Sequence, residues 1–410
     1  MIASQGLADL LREPSYLRVW LVGVFSGIAR WLELLVVGVY AFDTTGSPFL
    51  VALLVILRLL PLAVLGSVVG TFADRAPPRL LLLVTMAAAM MVSTAVFLVF
   101  LVGLDQYWIV AASSFVSGVV WTTDMPLRRR LLGDIAGLER IAPAMSLDSA
   151  TNNATRMLGP LVGGVLFQWL GASGAFALSA TMYALCVILM LGLPASVGMG
   201  AGKRAATRIL RDFQEVFSFI ARDRDIKRIL LVTIVFNVWG FPFISMIPVV
   251  GREVLEISAG WIGFLAALEG AGAFVGALII ALGFRGGGYR RLYYFGMLGY
   301  LIFAFLAGWM VWTVPMGLAL FLVGLMASGF STMQSTLIYT VAPPEMRGRL
   351  FGVLVICIGS GLIGFANIGL MGELFGGSAA IRIVAAEGLI PLILIGVGWR
   401  QLWARDSSLG

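Results

Sequence analysis

The sequence is dominated by apolar runs long enough to cross a bilayer. They fall near residues 18–42, 48–72, 80–102, 106–126, 141–170 and 174–194, and again near 228–250, 260–284, 292–312, 315–341, 350–373 and 380–403. About 20 apolar residues in a helix match the hydrocarbon thickness of a membrane, so twelve such runs predict twelve transmembrane helices. Composition excludes a soluble globule, since 60% of the 410 residues are hydrophobic and 12% are charged. The 50 glycines suit helices that pack closely without a hydrophobic drive between them. Cys186 and Cys357 lie in apolar runs, so no disulfide framework is indicated. Histidine is absent, which removes the commonest transition-metal ligand and the usual near-neutral proton carrier. Proton coupling then falls to a carboxylate shielded from water, where burial favours the neutral form. No metal or cofactor is expected. Asp9, Arg12 and Glu13 precede the first run, a pattern unlike a cleaved signal peptide.

Charge sorts the loops. Arg12, Arg18, Arg75, Arg79, Arg128–Arg130, Arg140, Arg285, Arg290, Arg291, Arg347, Arg349, Arg400 and Arg405 occupy the termini and alternate loops, while the other loops hold little beyond Arg252 and Arg382. The positive-inside rule then places both termini in the cytoplasm. The net charge of +7 is thereby a topology signal, and its spread over many loops argues against nucleic-acid binding. One long hydrophilic stretch divides the chain. Within it Ile209, Leu210, Phe213, Val216, Phe217 and Ile220 recur at helical spacing among charged residues, which predicts an amphipathic helix on the inner leaflet. The expected organisation is a six-helix bundle over residues 1–194, a cytoplasmic linker over 195–225, and a second bundle over 226–410.

The halves repeat. Arg128-Arg-Arg-Leu-Leu-Gly133 matches Arg347-Gly-Arg-Leu-Phe-Gly352, each shortly after proline. Sliding the second span onto the eighth aligns Ser47 with Ser258 and Arg58 with Glu269, and Trp31 and Trp239 fall at similar places. Duplicated bundles with a site between them are the expectation.

Gly70-Thr-Phe-Ala-Asp74-Arg75-Ala-Pro-Pro-Arg79 resembles the signature loop of the major facilitator superfamily, although Pro77 and Pro78 stand where that pattern has a glycine and its first basic residue. The resemblance implies two pseudo-symmetric six-helix bundles and a cytoplasmic gate, which here would use Gly70, Asp74, Arg75, Arg79, Arg129, Arg347 and Arg349. A plain reading of the same loop is a basic turn that fixes topology. Tyr40-x-x-x-Thr-Thr-Gly-Ser47, Arg58-x-x-Pro61 and Ala342-Pro-Pro-Glu-Met-Arg-Gly-Arg349 are similar to the enterobactin-exporter-like bacterial branch. Gly159-Pro160-x-x-Gly163-Gly164 resembles the fifth-helix motif of drug:proton antiporters, with Thr155 in place of a glycine. These likenesses imply export driven by proton entry.

Ionisable residues inside the spans are costly and mark candidate sites. Arg30 and Glu33 lie on the first span, Arg58 on the second, Asp148 and Arg156 on the fifth, Glu269 on the eighth and Glu387 on the twelfth. Arg30, Glu33 and Arg58 fit either a structural ion cluster joining the first two spans or a functional group. Arg58 also precedes Pro61, whose kink would free carbonyls for its guanidinium. Asp148, Asn152 and Arg156 share a helix face. Asp148 is expected to pair with Arg128–Arg130, leaving Asn152 and Arg156 for the cavity. Gly159, Pro160, Gly163 and Gly164 form a packing notch. Glu269 lies among Gly270, Gly272 and Gly276, which admit another helix closely; the resemblance implies that the fifth and eighth spans pack together, so Glu269 is expected to meet Arg156, as a coupling or substrate group or as a static partner. Glu387 reads as structural.

The leading expectation is a bacterial inner-membrane exporter of a small organic molecule, drug-like or siderophore-like, by proton antiport, with Arg30, Glu33, Arg58, Asn152, Arg156 and Glu269 as substrate or coupling residues. Its partners would be that solute, protons and the lipid bilayer, and it would act as a monomer. An uncoupled facilitator, a lipid translocase and a non-transporting receptor are the alternatives. No nucleophile–base or metal-ligand constellation points to an enzyme.

Overall fold

A computed structural model describes residues 9–75, 77–194, 209–283, 288–343 and 346–403, with side chains outside 65–76, 138, 209–214, 348 and 400–401. The secondary structure is helical throughout the described residues. The helices are α1 (Pro14–Thr45), α2 (Pro48–Arg75), α3 (Pro78–Leu101), α4 (Tyr107–Leu191), α5 (Ile209–Arg222), α6 (Arg224–Val235) and α7 (Met246–Glu253). They continue with α8 (Ala259–Gly283), α9 (Tyr289–Ala307), α10 (Thr313–Val341), α11 (Arg347–Gly359), α12 (Gly361–Phe375), α13 (Gly377–Gly398) and α14 (Arg400–Trp403).

Among the described residues, eight helical segments are long and apolar enough to cross a membrane. The other expected spans fall on the shorter apolar Pro48–Val64, on Tyr289–Ala307 and on α4, whose 85 residues hold the fourth, fifth and sixth. Two glycines break α4. Gly137 and Gly171 take φ of 70° and 66° with extended ψ, a conformation that a side chain would strain. The seventh span is interrupted instead of continuous. After α6 the chain passes through a π-turn, Phe236–Gly240, and a 3-10 turn, Phe241–Ser245, before α7, with Pro242 supplying no backbone donor. The amphipathic linker helix runs over Ile209–Arg222, where Val216 is buried and Phe217 exposed, and the first part of its expected range lies outside the described residues.

The chain divides into two compact units. The first comprises Met1–Thr45, Leu57–Arg204 and Ser258–Ala267, and the second Gly46–Ile56, Ala205–Ile257 and Leu268–Gly410. This differs from a division by sequence order, because α2 and α8 each change unit partway along. The alignment that places Ser47 on Ser258 also carries the first switch, Ile56–Leu57, onto the second, Ala267–Leu268. Arg58 and Glu269 are each the second residue beyond a switch.

Glycines set the helix spacing. In the first unit a Cβ on Gly159 would lie 2.5 Å from the Trp31 Cβ, and one on Gly163 3.1 Å from the Leu32 carbonyl oxygen, so α4 presses against α1. Gly164 faces the start of α8, where a Cβ would lie 2.5 Å from the Ala259 carbonyl oxygen. The Gly-Pro cluster is thus a two-sided notch. Thr155 is accommodated from the other side, since it packs on Gly27 of α1. In the second unit Gly272 of α8 faces the Phe321 carbonyl oxygen and Gly324 of α10 faces that of Glu269. Gly324→Val is therefore expected to cost about 1–3 kcal/mol through overpacking, read as a lower unfolding temperature in detergent. An unchanged transition would contradict the close approach of α8 and α10.

Candidate functional site

Six ionisable side chains lie buried together in the first unit. Arg30, Arg58 and Arg128 are 6%, 3% and 3% exposed, and Glu33, Asp124 and Asp148 are 2%, 1% and 1% exposed. Three cations meet three anions, so the group is neutral as a whole. Arg30 Nη2 donates to Asp124 Oδ2 at 2.7 Å, and Ser26 Oγ donates to the same oxygen at 3.3 Å. Arg128 lies 3.7 Å from the other Asp124 oxygen and bonds to Asp148. At the opposite end Arg58 Nη2 donates to the Arg30 carbonyl oxygen at 3.1 Å and lies 3.6 Å from Glu33, which accepts from Ser93 Oγ at 2.8 Å. The chain runs Ser93–Glu33–Arg58–Arg30–Asp124–Arg128–Asp148 across α1, α2, α3 and α4.

Two features differ from the expectations. Arg58 binds a carbonyl of α1, a neighbouring helix, in place of one freed by Pro61, and it does so because α1 brings Glu33 to the same spot. Asp124, the link that joins the rest, is absent from the expected set. It sits four residues before Arg128 on the same helix face, a spacing that could have found it. Its place at the end of an apolar run, two residues before Pro126, makes it read as loop.

The fifth-span face divides. Asp148 pairs with Arg128 and Arg129, the latter at 2.9 Å, as its loop-side position implies. Arg156 lies over Trp31 with its guanidinium carbon 5.4 Å from the ring centroid, a cation–π arrangement, and Asn152 one turn earlier is half-buried. Of the expected gate residues, Arg79 donates to the Leu191 carbonyl oxygen at 3.3 Å and Arg129 serves Asp148. Arg347 stacks over Tyr339 at 4.1 Å, and Arg349 bonds Glu215 of α5 at 2.8 Å. Gly70, Asp74 and Arg75 lie where only the helical backbone of α2 is described.

Each switching helix is clasped at its start, inside its own unit. Ser47 Oγ donates to Glu373 Oε2 of α12 at 2.6 Å, and the Phe49 amide donates to the same oxygen at 3.3 Å. Ser258 Oγ donates to Gln168 Oε1 of α4 at 2.8 Å, and the Gly260 amide to that oxygen at 3.1 Å. The serines and amides correspond under the repeat, Ser47 with Ser258 and Phe49 with Gly260. The acceptors differ in charge, a carboxylate in one clasp and an amide in the other. Both acceptors satisfy amides at a helix N-terminus that has no partner within its own helix.

In the second unit Glu269 is 1% exposed. Glu387 accepts from Trp239 Nε1 at 3.1 Å and Asn367 Nδ2 at 2.8 Å, in keeping with a structural role. Beside the interrupted seventh span, the rings of Phe241, Phe236, Phe330 and Tyr293 follow one another with centroids 6.0, 4.2 and 5.0 Å apart. Phe236 and Phe241 are half-buried and present the accessible end of this stack. Thr233 joins it, bonded to Tyr293 at 2.9 Å and to Gln334 at 3.0 Å. The periodic apolar pattern of these spans carries no signal that distinguishes this stack from ordinary packing.

Comparison with known proteins agrees with this architecture. The family model of the Major Facilitator Superfamily matches residues 19–366. The uncharacterized MFS-type transporter YfiS of Bacillus subtilis is 25% identical over 90% of each chain. The staphyloferrin A transporter of Staphylococcus aureus is 20% identical over 85% of this chain and 87% of its own. Among solved structures, the nucleoside transporter NupG superposes with a TM-score of 0.74 at 12% identity, over 94% of this chain and 98% of that one. A D-xylose-proton symporter gives 0.71 at 14% identity, over 94% and 98%.

The ion chain predicts a sharp asymmetry between single and paired substitutions. Removing one member of a buried pair strands the other, at a cost of about 3–5 kcal/mol. Asp124→Ala is expected to lower the unfolding temperature strongly, and adding Arg30→Met to recover part of that loss. Equal losses in the single and double variants would contradict the pairing.

Proposed function

As a member of the Major Facilitator Superfamily the chain is a multi-pass membrane transporter and not an enzyme, and we propose that it exports a small, partly apolar organic molecule against inward proton flow, by alternating access. The membrane would be the bacterial inner membrane, with both termini cytoplasmic, as the distribution of arginines over the loops suggests. The observation that carries the coupling is Glu269, a buried carboxylate placed just past the point where α8 leaves one unit for the other. A group at such a junction senses any rocking of the units, which is how transporters of this construction expose a site to each side in turn. Water-excluded carboxylates exchange a proton for a bound partner when their surroundings change. Glu33 is assigned a different task, because Arg58 and Ser93 already occupy it within a neutral chain.

The same balance alters the cargo reading. Arg30 and Arg58 are matched by buried acids, so their positive charge is not available in full to an anion. Arg156, stacked over Trp31, and Asn152 one turn earlier are the polar groups assigned to meet a solute. A cargo with one acidic and one aromatic part suits these groups, and likeness to a staphyloferrin A transporter keeps siderophores among the candidates.

Flux of fluorescent or radiolabelled candidate solutes from proteoliposomes, with and without a pH gradient, tests the reading. Gradient-dependent transport is expected in the wild type, and Glu269→Gln is expected to carry solute down its own gradient while losing the pH response. Transport indifferent to the gradient in both proteins would instead indicate an uncoupled facilitator.

A further inference from the structure

The start of α6 carries chemistry that transport does not use. Arg224, Lys227, Arg228 and Leu231 are spaced along one stripe of the helix. With Leu394, Ile395 and Gly398 of α13 they line an open groove of about 410 Å³, all within the second unit. Arg228 donates to the Gly398 carbonyl oxygen and so fixes the cationic end between the two helices. Arg224 and Lys227 are exposed at the same end. Farther along the helices the lining turns apolar, with Leu231 37% and Leu394 69% exposed.

The nearby acids are engaged at the helix start, with α9 and with Trp399. Asp223 accepts from the Asp225 and Ile226 amides as the cap of α6. Asp225 is bonded to Arg290 at 2.7 Å and to Trp399 Nε1 at 2.7 Å. The groove is therefore basic at one end and greasy along its length. Linker helix α5, which leads into α6, adds an exposed Phe217, as expected of a helix lying at a membrane surface.

We propose that this groove binds a membrane phospholipid with an anionic headgroup. The phosphate would sit against Arg224, Lys227 and Arg228, and an acyl chain along Leu231, Leu394 and Ile395. Basic residues at a membrane surface each attract anionic lipid, and an exposed leucine on a spanning helix is already in acyl-chain surroundings. The occupant follows from both ends together: a free anion would leave the apolar lining unused, and a zwitterionic lipid would not match the basic cluster.

Native mass spectrometry of the full-length protein during stepwise delipidation, alongside thermal unfolding with added lipid, tests this site. The probes are phosphatidylglycerol, phosphatidylcholine and inorganic phosphate. Phosphatidylglycerol is expected to remain bound longest and to raise the unfolding temperature, with phosphatidylcholine weaker and inorganic phosphate without effect. In Arg224→Gln/Lys227→Gln, which keeps the Arg228 bond to α13, the apparent affinity for phosphatidylglycerol should fall roughly tenfold or more. A second variant, Leu231→Asn/Leu394→Asn, leaves every cation in place and should weaken the same lipid, which keeps the question answerable if the first variant folds poorly. Equal retention of both lipids, unchanged affinity in either folded variant, or an equal thermal shift with inorganic phosphate would overturn the proposal.

Discussion

A charge in hydrocarbon must be answered by another charge within reach, and Asp124 is where this protein meets that demand. Its two oxygens hold Arg30 of α1 and Arg128 of α4, and through them the chain extends to Glu33 and Arg58 in one direction and Asp148 in the other. Three helices of the first unit, α1, α2 and α4, are thereby tied by charge as well as by packing, and the Ser93 hydroxyl joins α3 to them. Buried ion pairs give little net stability over well-packed apolar side chains, but breaking one is expensive. The arrangement thus fixes which helices must stay together more than it adds to folding free energy.

Beyond that chain, the repeat is a rule of construction. The first unit contains the start of α8 and the second the start of α2. Each start is held by one side-chain oxygen that takes a serine hydroxyl and a backbone amide. Small residues lie beneath, Gly164 against Gly263 in one case and Gly369 against Ala52 in the other. Ala52 and Gly263 correspond under the same alignment as Ser47 and Ser258. Where the copies differ, they differ in charge: Glu373 against Gln168, and Arg58 against Glu269.

Much of the architecture was legible because bilayer thickness imposes a length and a hydropathy on every span. The notch at Gly159–Gly164 was legible for a related reason, since close helix approach in lipid requires residues without bulk. The pairing of Asp148 with Arg128 and Arg129 could be read from loop charge. Asp124 could not be read this way, because an apolar run ends near it and sequence places no membrane boundary to within a turn. Nor does single-letter repetition show that Arg128 holds two acids while its counterpart Arg347 stacks on Tyr339. The clasps escaped because Gln168 and Glu373 are ordinary polar residues at helix ends, and their meaning comes from partners far away in the chain. The aromatic stack at Phe236 escaped because its spacing is that of any helix core.

In the function proposed above, labour is divided: the chain through Asp124 holds helices together and Glu269 carries the moving proton. Proton release on cargo addition measures this division most directly, using a pH-sensitive dye with purified protein in weakly buffered detergent solution. The account predicts release by the wild type, release by a folded Arg30→Gln/Asp124→Asn double variant, and none by Glu269→Gln. Release that survives in Glu269→Gln but disappears in the folded double variant would contradict it.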